Sequence, residues 1–203
     1  MEWNGMEWIL LYHNVMVLYR NIIYNMNTSR KIKRTRKQTN NKTKKIKYAG
    51  MKKDAKLSDD KLYRYQLTRI WDEDKPKVLF IMLNPSTADA DVDDPTIRRV
   101  INFAKSWNYG GVYVVNLYAF RSTNPKRLRE IDDPRGKDNK THIQDLLTRV
   151  DKVIYAWGHK EKEPEWLHEL VKEPFCIALS TKGIPKHPLY LKGDLLPIEY
   201  PRQ

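Results

Sequence analysis

Four short stretches carry the side chains best suited to chemistry. They are Asn84-Pro85-Ser86, Asn116-Leu117-Tyr118, Trp157-Gly158-His159 and the run from Ser180 to His187-Pro188. An asparagine amide presents a donor and an acceptor side by side, enough to read a polar edge when a rigid element holds it. An acidic run, Asp89, Asp91, Asp93 and Asp94, follows the first stretch. Its hard oxygens suit Mg²⁺; the preferred reading is a solvated loop with one helix cap, and no metal site is assigned. His142 and His159 have no ligand spacing to other histidines, cysteines or carboxylates. The single Cys176 lies inside an apolar strand pattern and reads as packing, not as a nucleophile. It also excludes an intramolecular disulfide framework and a multi-cysteine zinc or iron–sulfur centre. The usual phosphate-cradling glycine loops and the serine elbow of α/β-hydrolases are missing. No cofactor is called for.

The elements that must hold these stretches follow from periodicity. Tyr63, Tyr65, Leu67 and Ile70 alternate with polar residues, which predicts an early edge strand. Val78–Leu83 is an unbroken apolar run, as in a strand buried on both faces. Asp94 followed by Pro95 predicts a helix start, and apolar residues continue at helical spacing to about Trp107. A second buried strand is expected at Val112–Leu117, a third at Lys152–Ala156 and a fourth at Phe175–Leu179. Helices are expected at 138–149 and 163–172. This alternation predicts a three-layer α/β fold around a mostly parallel four-stranded sheet, with helices on both faces. In such folds ligands bind beyond the carboxyl ends of the strands. The four polar stretches stand at those four ends.

Charge divides the chain differently. Of 203 residues, 38 are Lys or Arg and 25 are Asp or Glu, a net charge of +13. Residues 30–53 alone hold 12 basic side chains and no acid. That tract reads as a disordered basic tail able to grip phosphates without reading sequence. Residues 54–203, nearly balanced in charge, read as one α/β domain. Residues 1–29 are apolar in patches, but Glu2 and Glu7 spoil a signal-peptide start. The expectation is that translation begins later, at Met26 or Met51, making this segment a gene-model extension. No apolar run is long enough for a membrane span, and the expected location is cytoplasmic.

Two resemblances join these residues. Over about residues 55–195 the chain resembles a bacterial and phage family known as domain-of-unknown-function family 1643, through YRYQLTRIW, FIMLNPSTADADVDDPTIRR, VVNLYAFR, AWG and HPLYL. More distantly, the order of strand-end motifs is similar to the uracil-DNA glycosylase superfamily. Leu83-Asn84-Pro85 stands for its first motif and Val114–Leu117 for the strand ending in a base-reading Asn. Tyr155–Gly158 and His187-Pro188 match its last two. Leu189-Tyr190 replace the usual serine and second proline, which leaves the base recognised open.

The second resemblance implies a monofunctional glycosylase that flips a modified or deaminated base and hydrolyses its bond to the sugar. Asn116 would read the edge of the base; the competing role is satisfying backbone groups in the next loop. Asn84 would position the attacking water beside Pro85 and Ser86, with Asp89 assisting; the plainer role is turn formation. His187 would donate to the leaving base. Tyr118 and Trp157 would stack on a base, with core packing as the alternative. Arg121 would meet a phosphate or the acidic loop, and Lys186 and Lys192 would meet DNA phosphates. Two other functions stay open: a non-catalytic nucleic-acid-binding module, and an enzyme acting on a free nucleotide or nucleoside.

Overall fold

The apolar run at Val78 builds the centre of the molecule. In the computed structural model, which describes residues 50–158 and 161–202, strand β3 (Lys77–Met82) is buried from Val78 onward. The apolar first segment and most of the basic tract lie outside the described residues, as does His159. Strand β4 (Gly111–Asn116) pairs with β3 in parallel on one side, and β5 (Lys152–Tyr155) pairs in parallel on the other. Strand β6 (Pro174–Cys176) continues the parallel set beyond β5. All four expected strands are therefore present, adjacent and parallel.

The sheet is larger than expected and mixed. Strands β1 (Lys52–Leu57) and β2 (Arg64–Ile70) add antiparallel pairs beside β4, and β7 (Ile198–Glu199) adds one beside β6. The order is β1-β2-β4-β3-β5-β6-β7, seven strands rather than four. The predicted edge strand at Tyr63–Ile70 is an inner strand, because β1 covers its outer edge. Lys52 and Lys53, which charge pattern assigns to the tail, open β1. The fourth strand is shorter than Phe175–Leu179; Leu179 instead bridges to Pro185.

Helices cover both faces. Helix α1 (Pro95–Ser106) starts as the sequence predicts: the Asp94 side chain accepts from Ile97 N–H at 2.8 Å, and Pro95 opens the first turn. Its C-cap, Trp107, stacks on Phe80 of β3 with ring centroids 6.0 Å apart. On the opposite face Leu79, Ile81, Val115 and Tyr155 pack with Ile143 and Leu146 of α2 (Asn139–Leu147) and Leu167 of α3 (Glu165–Leu170). Pleating separates the two sets, since successive residues of a strand face opposite ways. No helix among the described residues is long and apolar enough to cross a membrane.

Candidate functional site

A cavity of about 260 Å³ opens where β3, β4 and β5 end. Met82 closes β3, Asn116 closes β4, and Trp157 follows β5. All three line the cavity, together with Asn84, Ser86 and His187. Five of the residues singled out from sequence thus meet in one place.

Asn116 is the deepest polar group there. It is 1% exposed, and its Nδ2 has no hydrogen-bond partner. The competing role, satisfying the loop backbone, belongs to a different residue: Asn139 Nδ2 donates to the carbonyls of Asn116 and Leu117 at 3.0 and 3.3 Å. An unpaired buried amide costs about 1–3 kcal/mol, a cost that a bound partner would remove.

Asn84 is committed in the other direction. Its Nδ2 donates to the Ser122 carbonyl at 2.8 Å and the Pro85 carbonyl at 3.1 Å. Both amide protons are used, so Oδ1 remains as an acceptor. Pro85 is buried behind it and also takes the Ser122 N–H, which fixes the turn.

His187 presents the complementary group. Its Nδ1 accepts from Leu189 N–H at 3.3 Å. A neutral ring with Nδ1 accepting carries its proton on Nε2. Burial lowers the pKa of His187, with Asp94 acting weakly against that, so the ring is neutral at pH 7. Gly158 makes this placement possible. It sits at φ +62°, and a Cβ there would lie 2.8 Å from His187 Cβ. Its N–H donates to Pro185 O at 2.9 Å, which ties the loop before His187 to the end of β5.

The acidic run is spent on structure. One Asp89 oxygen accepts from the N–H groups of Asp91 and Val92, and these bonds lower its pKa. Asp93 pairs with Arg69 Nε at 2.7 Å, and Arg69 also donates to Asp89 O at 2.6 Å. Asp89 is not among the groups lining the cavity, so its expected assistance to water has no geometric basis. Its loop-capping bonds account for it.

Tyr118 and Arg121 lie outside the cavity, Lys186 and Lys192 stand beside its mouth, and Trp157 serves a different role. Tyr118 lines a separate cavity with Glu161 and Trp166. Arg121 donates to the Lys61 carbonyl at 3.2 Å. Lys186 and Lys192 are exposed on the chain flanking His187. Trp157 reaches the cavity, but its ring packs on Tyr155 at 4.6 Å and its Nε1 donates to Glu161 O at 2.9 Å. Core packing explains it better than base stacking.

One lining residue was not anticipated. Arg64, from β2, is 3% exposed and reaches the cavity. Within YRYQLTRIW it reads as a solvent-facing residue of an alternating strand. No local signal marks it: alternation shows which residues share a face, and only the packed partners decide whether that face meets water.

Residues 64–189 match a family model described as "Protein of unknown function (DUF1643)". The chain belongs to that family. The match runs from the first residue of β2 to the 3-10 turn after His187, so it takes in every cavity residue named above. Searches of the curated proteins and of the solved structures each found no match. The likeness to uracil-DNA glycosylases thus rests on motif order.

Proposed function

We propose that this protein excises a base from a nucleotide in DNA by hydrolysis of the N-glycosidic bond. The observation that carries this reading is the unpaired Nδ2 of Asn116 in a cavity it shares with Asn84 and His187. About 260 Å³ lies just below the roughly 300–1,000 Å³ of sites for drug-sized ligands. It suits one extruded base and excludes a duplex.

Each group has a role that its hydrogen bonding leaves free. Asn116 Nδ2 donates to a carbonyl on the base edge. Asn84 Oδ1 accepts from a water and holds it toward the sugar. The N-glycosidic bond breaks with its electron pair leaving on the base, and water oxygen bonds to the anomeric carbon. The proton lost by that water neutralises the departing base through solvent. His187 Nε2–H donates to the base oxygen where charge gathers, an electrostatic stabilisation that needs no proton transfer. The lysines and arginines of the basic tract, donating to phosphate oxygens, would add affinity for DNA without choosing the base.

The test is release of free base from single- and double-stranded DNA carrying a panel of modified and deaminated bases, read by mass spectrometry. Release from one class of substrate is the expected result. Salt-sensitive binding with no release from any substrate would replace this reading with the binding-module reading.

A further inference from the structure

Arg64 is a buried cation that the protein leaves mostly unsatisfied. Its guanidinium offers five donors, and among the described residues one bond is made: Nη1 to the Ala88 carbonyl at 2.7 Å. Its Nε is buried without a partner. Among the described residues no carboxylate oxygen lies within 4.0 Å of it, whereas Arg69 on the same strand is paired with Asp93. Burying an ion without a counter-ion costs several kcal/mol. Holding the acidic loop through Ala88 uses one of five donors and no charge.

The surroundings of Arg64 point the same way. The cavity also receives the first turn of α1, through Thr96 and Ile97. A helix start carries partial positive charge and favours an anion. Asp94 stands on the same wall and already caps that helix start through Ile97 N–H, so the oxyanion contact falls to Arg64. Burial lowers the Arg64 pKa to about 10, with Asp94 and Asp89 opposing that fall and Arg121 and Arg69 adding to it. The guanidinium therefore remains charged at pH 7.

We infer that the cavity is a phosphate-recognising site in which Arg64 holds an oxyanion of the bound nucleotide beside the Asn116 amide. The inference shares the cavity with the proposed reaction and does not need that reaction to occur. A guanidinium fork matches a phosphate by two parallel charge-assisted bonds, which an ammonium cannot reproduce. The substrate is accordingly a nucleotide rather than a nucleoside or free base.

The full chain would be titrated by calorimetry with inorganic phosphate, the four deoxynucleoside 5′-monophosphates, their nucleosides, and a short single-stranded oligonucleotide. Salt near 0.3 M suppresses exposed lysines of the basic tract, because screening there acts over only about 5–6 Å. Arg64→Gln and Arg64→Lys would be measured alongside, with thermal melting to verify folding. Monophosphates should bind about tenfold or more tightly than the matching nucleosides. That gain should vanish in Arg64→Gln and shrink in Arg64→Lys. If Arg64→Gln does not fold, the Arg64→Lys affinity decides. Monophosphate affinity unchanged in the folded Arg64 variants overturns the inference, as does equal affinity of parent for nucleotides and nucleosides. Monophosphates binding as well as the oligonucleotide would assign the phosphate to a free nucleotide; oligonucleotide binding at least tenfold tighter, and Arg64-dependent, would assign it to a strand. The two ideas fail separately: an Arg64-dependent phosphate gain stands even if the modified-base panel shows no release, and its loss overturns the inference even if a base is released.

Discussion

At the scale of single residues, burial and hydrogen bonding divide side chains that sequence leaves equivalent. Asn84, Asn116 and Asn139 all belong to the strand-end region, yet each amide is used differently. Asn139 is spent on backbone carbonyls, Asn84 is spent on one side and free on the other, and Asn116 Nδ2 is unpaired. Of these three amide donors, Asn116 Nδ2 is the one left without a partner. Asn116→Ala should therefore leave the melting temperature unchanged or slightly raised while abolishing base release, because it removes an amide that costs about 1–3 kcal/mol. A loss of several degrees on that substitution would give Asn116 a structural role. His187 makes a second residue-scale prediction. Its folded pKa lies below the ordinary histidine value near 6.5, so its contribution to stability is present above that pH. That contribution is lost as pH falls through the lower folded value, when the proton arrives on the Nδ1 that accepts from Leu189. Melting curves from pH 8 to pH 5 should fall less steeply for His187→Gln than for the parent.

At the scale of elements, the site depends on joints between strands and the loops that follow them. Gly158 is one such joint. Alanine there would suffer a left-handed backbone, costing about 1–2 kcal/mol, and a Cβ driven against His187. Gly158→Ala should lower stability by about that amount and reduce base release far more, since the loop bearing His187 must shift; melting and release rates measured together would show the split. The acidic loop is another joint, fastened to β2 by Arg69. The Arg69 side chain is fully buried against Asp93. Arg69→Ala, which leaves Asp93 only its 4.0 Å pair with Lys53, should cost about 3 kcal/mol in denaturant unfolding. The strands that hold the joints were legible where they are apolar on both faces, as at Val78–Leu83 and Val112–Leu117. Strand β1, with the sequence KKDAKL, was not, because its lysines continue the composition of the basic tract. Strand β7 has two residues and no periodicity to read. The buried arginines of β2 were hidden for a related reason. Alternation marks which residues share a face, and only the tertiary partners decide whether the polar face meets water.

At the scale of the whole molecule, charge and chemistry occupy different parts of the chain. Twelve basic residues fall within 30–53, whereas the cavity belongs to the compact unit Gly50–Gln203. Affinity for duplex DNA should fall steeply with salt, by a slope of about 0.9 for each phosphate contacted on a logarithmic scale. Removing residues 1–49 should flatten that slope and leave the choice of base unchanged, which filter binding and base release would measure separately. The motif order made the candidate site legible before the fold was known, since Asn84, Asn116 and His187 do meet in one cavity. It did not reveal Arg64, because nothing local to an arginine in a strand says that its charge will be left without a counter-ion. The most direct test of the central claim is base release from the modified-base panel by the parent chain and by folded Asn116→Ala and His187→Ala variants. The parent should release one base class, and release should fall about 100-fold or more in both variants with melting temperatures preserved. Release undiminished in folded Asn116→Ala would contradict that claim.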